Sequence, residues 1–350
     1  MTDTTVGSKR GSDPAALADL PWDPNAPLLE VTDLQVEFHT RDGVAQAVNG
    51  VSFDLKSGET LGILGESGCG KSVTAQAIMG ILDIPPARVA AGSIKLRGVD
   101  LLQLDEKTRR HVRANKIAII FQDALSALNP VFTVGWQLGE LYRKHSGASR
   151  AQAKEKAIEL LELVQVPAAR ERVNSFPHQF SGGMRQRVMI AMALALEPDI
   201  IIADEPTTAL DVTVQAQVMK LLADLQQQQD MGLILITHDM SVVAEVVDKI
   251  TVMYAGAAVE RADVHQIYER PAHPYTKGLL ESIPRVDMKG HELAAIKGIP
   301  PALTNLPEGC SFAPRCGFVR DRCKTDDPPL YDVPGNRQSA CHYWEEVFNS

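Results

Sequence analysis

The octapeptide GESGCGKS (65–72) fits the pattern G-x-x-x-x-G-K-[ST]. It follows the apolar run ETLGILG (59–65) and opens the helix-like stretch GKSVTAQAIMGIL (70–82). A glycine-rich loop between a strand and a helix can turn its backbone N–H groups toward an anion, and the start of the helix adds a favourable partial charge. The octapeptide therefore predicts a phosphate-binding loop in an α/β fold.

The side chains of this loop have separate expected tasks. Lys71 reaches the β- and γ-phosphates of a nucleotide, and the hydroxyl of Ser72 can bind Mg²⁺. We interpret Cys69 as a small loop residue in preference to a reactive thiol. The residues expected to contact the nucleotide are Gly65, Glu66, Ser67, Gly68, Cys69, Gly70, Lys71, Ser72 and Val73.

Four further apolar runs end in polar residues. They are KIAIIFQD (116–123), DIIIADEP (199–206), GLILITHD (232–239) and KITVMYAG (249–256). Near-continuous apolar strands are typical of a parallel sheet that is covered on both faces. The stretch LLEVTDLQVEF (28–38) instead alternates apolar and polar residues, which predicts a half-buried strand.

An acidic pair, Asp204 and Glu205, closes one of these buried runs. Downstream of a phosphate-binding loop, such a pair predicts a site that handles metal and water. We expect Asp204 to hold Mg²⁺ through water, and Glu205 to orient or deprotonate the attacking water. Taken alone, the same pair would indicate only a turn.

The stretch FSGGMRQR (180–187) precedes an apolar helix-like run. Ser181 can cap that helix, and Gly182 and Gly183 leave backbone N–H groups uncovered, which makes a second anion site. An ordinary helix cap would look the same. In company with Lys71 and the acidic pair, however, this stretch resembles the signature motif of the ATP-binding cassette (ABC) proteins.

Other positions match the same family. Gln122 at a strand end resembles the Q-loop, Asp211 in TTALD (207–211) the D-loop, and His238 in THD the switch histidine. Phe38 lies where the family places an aromatic ring under adenine, although its alternation along the strand fits a core residue nearly as well.

The resemblance implies a fold and a mechanism. The fold is a P-loop ATPase of the ABC type, with a RecA-like core, an antiparallel β subdomain and a helical subdomain. ATP lies between one subunit's loop and the partner's signature motif. The implied catalytic residues are Glu205, His238 and Gln122, and the implied magnesium ligands are Ser72, Gln122 and Asp204. The residues implied to meet the partner's nucleotide are Ser181, Gly182, Gly183, Met184, Gln186 and Asp211.

Three stretches resemble the ATPase subunits of dipeptide and oligopeptide importers. They are FQDALSALNPVFTVGWQL (121–138), HPYTKGLLESIP (273–284) and GIPPALTNLPEGCSFAPRCGF (298–318), and the resemblance extends over about 28–344. Ala124 departs from the family's usual proline. The resemblance implies a second ATPase subunit, in this family a paralogue, two membrane permeases and an extracytoplasmic binding protein. Nickel or haem import is an alternative.

Composition helps to distinguish a transport ATPase from an ABC ATPase that acts on nucleic acid or ribosomes. The net charge of −9 argues against broad nucleic-acid binding. A nucleic-acid- or ribosome-acting ABC ATPase remains an alternative, but it would typically carry coiled coils or two cassettes. No apolar run approaches a membrane span. This agrees with importers whose permeases are separate chains, and the resemblance to them implies a peripheral protein on the cytoplasmic face of the membrane.

The chain is expected to fall into three parts. Residues 1–26 read as a disordered tail because of their Asp, Pro, Ala, Ser and Gly content. Residues 27–283 form the nucleotide-binding domain, with the helical subdomain at about 123–198. Residues 284–350 form a small irregular extension that carries four of the five cysteines.

Those four cysteines are Cys310, Cys316, Cys323 and Cys341, spaced C-x5-C-x6-C-x17-C. Four thiolates suit a [4Fe–4S] cluster, and the resembling importer subunits imply one. Zinc is the alternative, although the C-x-x-C pair of most structural zinc sites is missing. Unmetallated thiols and a redox sensor are further alternatives.

Overall fold

The structure is a computed structural model, and it describes residue 17 and residues 20–122, 127–208, 210–283 and 296–350. The strands, in chain order, are β1 (Leu29–Thr40), β2 (Gly43–Leu55), β3 (Thr60–Leu64), β4 (Ala87–Leu96), β5 (Val99–Asp100), β6 (Ile117–Ile120), β7 (Ile200–Asp204), β8 (Gly232–Thr237), β9 (Lys249–Tyr254), β10 (Ala257–Asp263), β11 (Tyr331–Val333) and β12 (Arg337–Ser339). The α-helices are α1 (Lys71–Met79), α2 (Glu106–Asn115), α3 (Val134–His145), α4 (Arg150–Leu163), α5 (Ala169–Arg172), α6 (Gly182–Leu194), α7 (Val212–Gln229), α8 (Met240–Val243), α9 (Val264–Glu269), α10 (Pro274–Glu281), α11 (Arg322–Thr325) and α12 (Trp344–Phe348). Single 3₁₀ turns lie at Pro177–Gln179 and Ala313–Arg315.

The larger sheet has the order β11-β12-β10-β9-β3-β8-β7-β6. From β9 to β6 the strands are parallel, and β3, β7 and β8 are buried along their whole length. Such strands need helices on both faces, which agrees with their unbroken apolar sequences. Because β3 lies at the centre, the loop after it meets the carboxyl ends of several neighbours.

The smaller sheet is antiparallel, with the order β2-β1-β4-β5. Strand β1 alternates buried and more open positions, as its sequence predicts, and pairs with β2 on one side and β4 on the other. Strands β2 and β4 were not predicted from the sequence. Both contain glycine and many polar residues, so their apolar periodicity is weak.

Helices α3 to α6 make up most of the insert between β6 and β7. Helix α4 begins with a capping box in which Ser149 and Gln152 satisfy each other's backbone N–H groups. Its buried face includes Ile158 and Leu161. Residues 123–126, including Ala124, lie outside the described residues.

The N-terminal segment differs from its prediction where it is described. Residues 1–16, 18 and 19 lie outside the described residues, but Leu20 and Trp22 pack against the apolar cluster under β1 and β4. The Asp23 N–H donates to the carbonyl of Arg97 at 2.9 Å. Partial burial of Trp22 and this backbone hydrogen bond therefore hold the described residues of the segment on the domain.

The C-terminal region contributes two short strands that the sequence analysis did not foresee. Strand β12 pairs with β10, as in Glu260 opposite Ser339, and β11 completes the sheet edge. Residues 284–295 lie outside the described residues. In the part of the chain that the structure describes, no helix has the length and apolarity needed to cross a membrane.

Candidate active site

The loop 65–70 packs tightly at the carboxyl end of β3. Gly65 has φ +152° and Gly70 has φ +103°. A Cβ at Gly65 would lie 2.2 Å from the carbonyl oxygen of Met253, and one at Gly70 would lie 2.2 Å from that of Ala47. Both contacts are with backbone, so these two positions require glycine.

Lys71 begins α1 directly after this loop. Its Nζ donates to the carbonyl oxygens of Gly65 at 2.7 Å and Glu66 at 3.0 Å, and the residue is only 5% exposed. A buried ammonium needs such partners because desolvation disfavours its charge. The loop thus fixes the lysine on the wall of the adjacent cavity.

That cavity has a volume of about 580 Å³. The residues that line it are Ala47, Gly65, Glu66, Ser67, Gly68, Gly70, Lys71, Ser72, Val73, Gln122, Glu205, Thr208, His238, Leu279 and Leu303. Sequence reasoning missed Leu279 and Leu303, although both fall in stretches quoted for the importer resemblance. The Gln46 N–H donates to the Leu303 carbonyl at 3.0 Å and so holds that segment against β2.

The side chains of Gln122 and His238 meet that of Glu205 at the carboxyl ends of three neighbouring parallel strands. Gln122 follows β6, Glu205 follows β7 and His238 follows β8. The Gln122 amide donates to Glu205 Oε2 at 2.8 Å, and His238 Nδ1 lies 3.1 Å from Glu205 Oε1. The hydroxyl of Thr208, which sequence reasoning did not single out, donates to Oε2 at 2.9 Å.

The environment of Glu205 favours its ionised form. Burial opposes ionisation, but the hydrogen bonds from His238 and Thr208 outweigh it and lower the pKa of the carboxyl. The residue has φ +47°, an uncommon conformation for a side-chain-bearing residue. Its N–H donates to the carbonyl of Ile236 at 2.9 Å, which holds that conformation.

Asp204 lies one residue earlier and faces Ser72. The Ser72 hydroxyl donates to Asp204 Oδ1 at 3.1 Å. Burial raises the pKa of Asp204, against the opposing hydrogen bond from Ser72. Asp204 lines a second cavity, which shares Ser72 and Gln122 with the first. Mg²⁺ prefers oxygen ligands, and the hydroxyl of Ser72, the carboxylate of Asp204 and the amide oxygen of Gln122 supply them. These three residues therefore fit a magnesium ion.

The signature stretch lies apart from this cavity. Ser181 is exposed and caps α6, accepting the N–H of Met184 at 3.4 Å. A Cβ on Gly183 would lie 2.4 Å from Val214 Cγ1, so α6 begins close to α7. Asp211 caps α7 by accepting the N–H of Val214 at 3.0 Å. The structure therefore brings the predicted signature residues together, but not next to the same chain's loop.

Besides Asp204, two further predicted contacts do not line the first cavity. Phe38 is half-buried against the apolar cluster of the smaller sheet, and Cys69 is 5% exposed. Burial raises the pKa of the Cys69 thiol even though the positive charge of Lys71 opposes this. The Cys69 thiol therefore favours its protonated form, and the residue serves in packing.

The predicted iron–sulfur cluster is wrong, and so is its zinc alternative. Within the residues that the structure describes, no group of three or more Cys, His, Asp or Glu side chains is arranged to hold a metal ion. Burial raises the pKa of Cys310 to about 11 and of Cys341 to about 12. Cys310 and Cys316 pack against the main apolar cluster. The spacing placed the thiols in one region, but they act there as small apolar residues.

Comparison with protein families identifies two matching regions. Residues 48–208 match the family model described as ABC transporter. Residues 259–323 match the model described as oligopeptide/dipeptide transporter, C-terminal region.

Full-length relatives agree with both matches. The oligopeptide transport ATP-binding protein OppD of Bacillus subtilis (strain 168) is 52% identical over 317 residues, which are 90% of this chain and 87% of OppD. The dipeptide transport ATP-binding protein DppD of Escherichia coli (strain K12) is 47% identical over 316 residues, 90% of this chain and 96% of DppD. These relatives favour a transport ATPase over a nucleic-acid-acting one.

Solved structures agree in fold. The dimeric post-hydrolysis state of the ATP-binding cassette MJ0796, bound to ADP and Pi, matches with a TM-score of 0.60 and 27% identity, over 67% of this chain and 98% of that one. The expected ABC fold and the family resemblance are both confirmed. The chain belongs to the family of ATP-binding proteins of oligopeptide and dipeptide ABC transporters.

Proposed function

We propose that this chain hydrolyses ATP to power the import of oligopeptides or dipeptides through membrane permeases. The observation that carries the ATPase assignment is the meeting of Gln122, Glu205 and His238 on one cavity wall, with Lys71 and Ser72 on another. The peptide cargo is supported by the names of the relatives and by the match to the transporter C-terminal region.

The chain's own groups divide the reaction between them. Lys71 binds the β- and γ-phosphates, and Glu205 accepts a proton from the attacking water. Gln122 and His238 hold the Glu205 carboxylate in position, and His238, which lines the same cavity, contacts the γ-phosphate. Ser72, Asp204 and Gln122 would hold Mg²⁺, which would supply positive charge to offset that of the phosphates. Phe38 remains a proposed adenine contact at the end of β1.

The active site is completed by a second subunit. Ser181 and the exposed start of α6 lie away from the cavity of their own chain, so their N–H groups are free to meet a nucleotide held by a partner. The match to a dimeric cassette supports this arrangement. The partner is a paralogous ATPase subunit, and both dock against two permeases on the cytoplasmic face, supplied by an extracytoplasmic binding protein.

A charged substitution at Ser181 provides a test of the shared site. Ser181→Arg places a bulky cation at the α6 start, and we expect it to reduce hydrolysis at the partner's site by about 100-fold, as loss of a positioned phosphate contact does. Nucleotide binding to this chain's own loop should not change. The measurement is single-site turnover in an assembled transporter whose other site is inactivated. Arg185→Ala on the same helix is the control, and unchanged turnover in Ser181→Arg would contradict the shared site.

The transport function is tested by uptake into vesicles that contain the assembled transporter. ATP-dependent uptake of a labelled dipeptide or tetrapeptide is the expected result, and an excess of unlabelled peptide should abolish it. The same vesicles are offered labelled nickel and haem. Uptake of either of these without any peptide uptake would overturn the peptide assignment and leave the ATPase assignment intact.

A further inference from the structure

Glu66, the second residue of the phosphate-binding loop, is held by the C-terminal region of the chain. Its carboxylate accepts two hydrogen bonds from Arg315, Nη1 to Oε2 at 2.6 Å and Nη2 to Oε1 at 2.9 Å. The side chain of Arg315 is 3% exposed. A paired, two-bond contact between a guanidinium and a carboxylate is among the strongest polar contacts in proteins, and it also fixes orientation.

Arg315 is itself held from several sides. Its Nε donates to the carbonyl of Lys297 at 3.1 Å and its Nη2 to that of Ile296 at 3.3 Å. The guanidinium lies 5.8 Å from the ring centre of Tyr254 and 6.0 Å from that of Phe312. The hydrogen bond to Glu66 raises the pKa of Arg315 further above its ordinary range. Arg315 is thus always positively charged, and carbonyl groups and aromatic rings enclose its guanidinium.

A second contact reaches the backbone of the same loop residue. The Glu66 N–H donates to the hydroxyl of Tyr275 at 2.8 Å. Tyr275 is fully buried in α10, and its ring packs 4.7 Å from that of Tyr254 and 5.4 Å from that of Phe312. Aromatic packing of this kind leaves the hydroxyl little freedom to move.

Glu66 also helps to hold Lys71 in place. Its carbonyl is one of the two that accept hydrogen bonds from Lys71 Nζ. The backbone N–H, carboxylate and carbonyl of a single loop residue are therefore engaged by Tyr275, Arg315 and Lys71. A displacement of Glu66 would move an anchor of the phosphate-binding ammonium.

We propose that Arg315 and Tyr275 are positioning residues for the phosphate-binding loop, so that the C-terminal region sets the chain's affinity for nucleotide through Glu66. Because the loop is held in place before binding, less conformational freedom is lost when nucleotide arrives. By linkage, bound nucleotide stabilises the contact between loop and C-terminal region to the same extent. The inference rests on the proposed binding of ATP to this loop.

The test measures the Kd of the purified full-length chain for a fluorescent methylanthraniloyl derivative of ATP with Mg²⁺. We expect Arg315→Gln and Glu66→Gln each to raise the Kd about tenfold, equivalent to about 1.4 kcal/mol, and the double variant to show no further loss. Arg315→Lys should recover only part of the affinity, because lysine cannot make both bonds. Arg320→Gln, an exposed arginine of the same region that pairs with Glu346, is the control and should bind as wild type.

The Kd values of these variants distinguish a positioning role of Arg315 from a purely structural one. A Kd for Arg315→Gln equal to that of Arg320→Gln would overturn the inference, and so would effects that multiply in the double variant. If Arg315→Gln does not fold, Tyr275→Phe decides: it keeps the buried ring and should raise the Kd about threefold, consistent with loss of one hydrogen bond. A wild-type Kd for Tyr275→Phe would then overturn the inference. Absence of binding by the wild-type chain would overturn the proposed function itself.

Discussion

Replacing Glu205 with glutamine is expected to leave ATP binding intact and to reduce turnover by about 100- to 10,000-fold, the range that a positioned general base contributes. The physical reason is that the amide cannot accept a proton from water. The neighbours of Glu205 lower the pKa of its carboxyl, which keeps the wild-type residue ionised and ready to do so. Glutamine has nearly the same size and lines the same cavity, so the nucleotide contacts of the loop should survive.

The control for this variant is Glu59→Gln. The two glutamates are similarly buried, with side-chain exposures of 13% for Glu59 and 14% for Glu205, and each contacts a basic side chain. Glu59, however, precedes β3 and so lies at the opposite edge of the sheet. Turnover in the assembled transporter and the Kd for nucleotide are measured for both variants. Wild-type turnover in Glu205→Gln would show that another group activates the water.

Replacing Lys71 with alanine should instead weaken nucleotide binding. Hydrogen bonds to charged groups contribute about 1.5–3 kcal/mol each, so loss of an ammonium that bonds two phosphates should weaken binding by about 100-fold or more. The variant also leaves the carbonyls of Gly65 and Glu66 without their shared donor. Isothermal titration of the purified chain with ATP and Mg²⁺, together with its Tm, measures both consequences.

Lys116→Ala is the matched control for Lys71→Ala. Lys116, which is partly buried whereas Lys71 is buried, pairs with Asp199 at 3.2 Å, but it precedes β6, at the edge of the sheet away from the cavity. It should bind ATP as the wild type does. If Lys71→Ala retained wild-type affinity with an unchanged Tm, the loop would not be the nucleotide site. The Glu205 and Lys71 variants together separate chemistry from binding.

Much of the nucleotide-binding core could be predicted because its determinants are local. The loop needs glycine at positions 65 and 70. The apolar strand before it and the helix after it are contiguous with it in the chain. The same is true of polar residues that directly follow buried parallel strands. Gln122, Glu205 and His238 could be expected to meet, because the carboxyl ends of parallel strands share one edge of a sheet. Their catalytic roles remain predictions.

Other features could not be predicted because local sequence does not encode them. The cysteine spacing suggested a metal site, yet burial made the thiols packing residues. Strands β2 and β4 lack a clear apolar period, and the sequence around Trp22 does not indicate the apolar cluster against which it packs. In each case the outcome depends on which distant surface a residue meets, not on its neighbours in the chain.

The phosphate-binding loop, the parallel core and the family resemblance follow from adjacent residues, since these set backbone conformation and apolar periodicity. The position of Leu303 on the cavity wall and the contact of Arg315 with Glu66, a residue 249 positions earlier in the chain, depend instead on the folding of distant segments against each other. Such a pair has no local signal, because its partners become neighbours only when the C-terminal region folds back onto the carboxyl edge of the sheet.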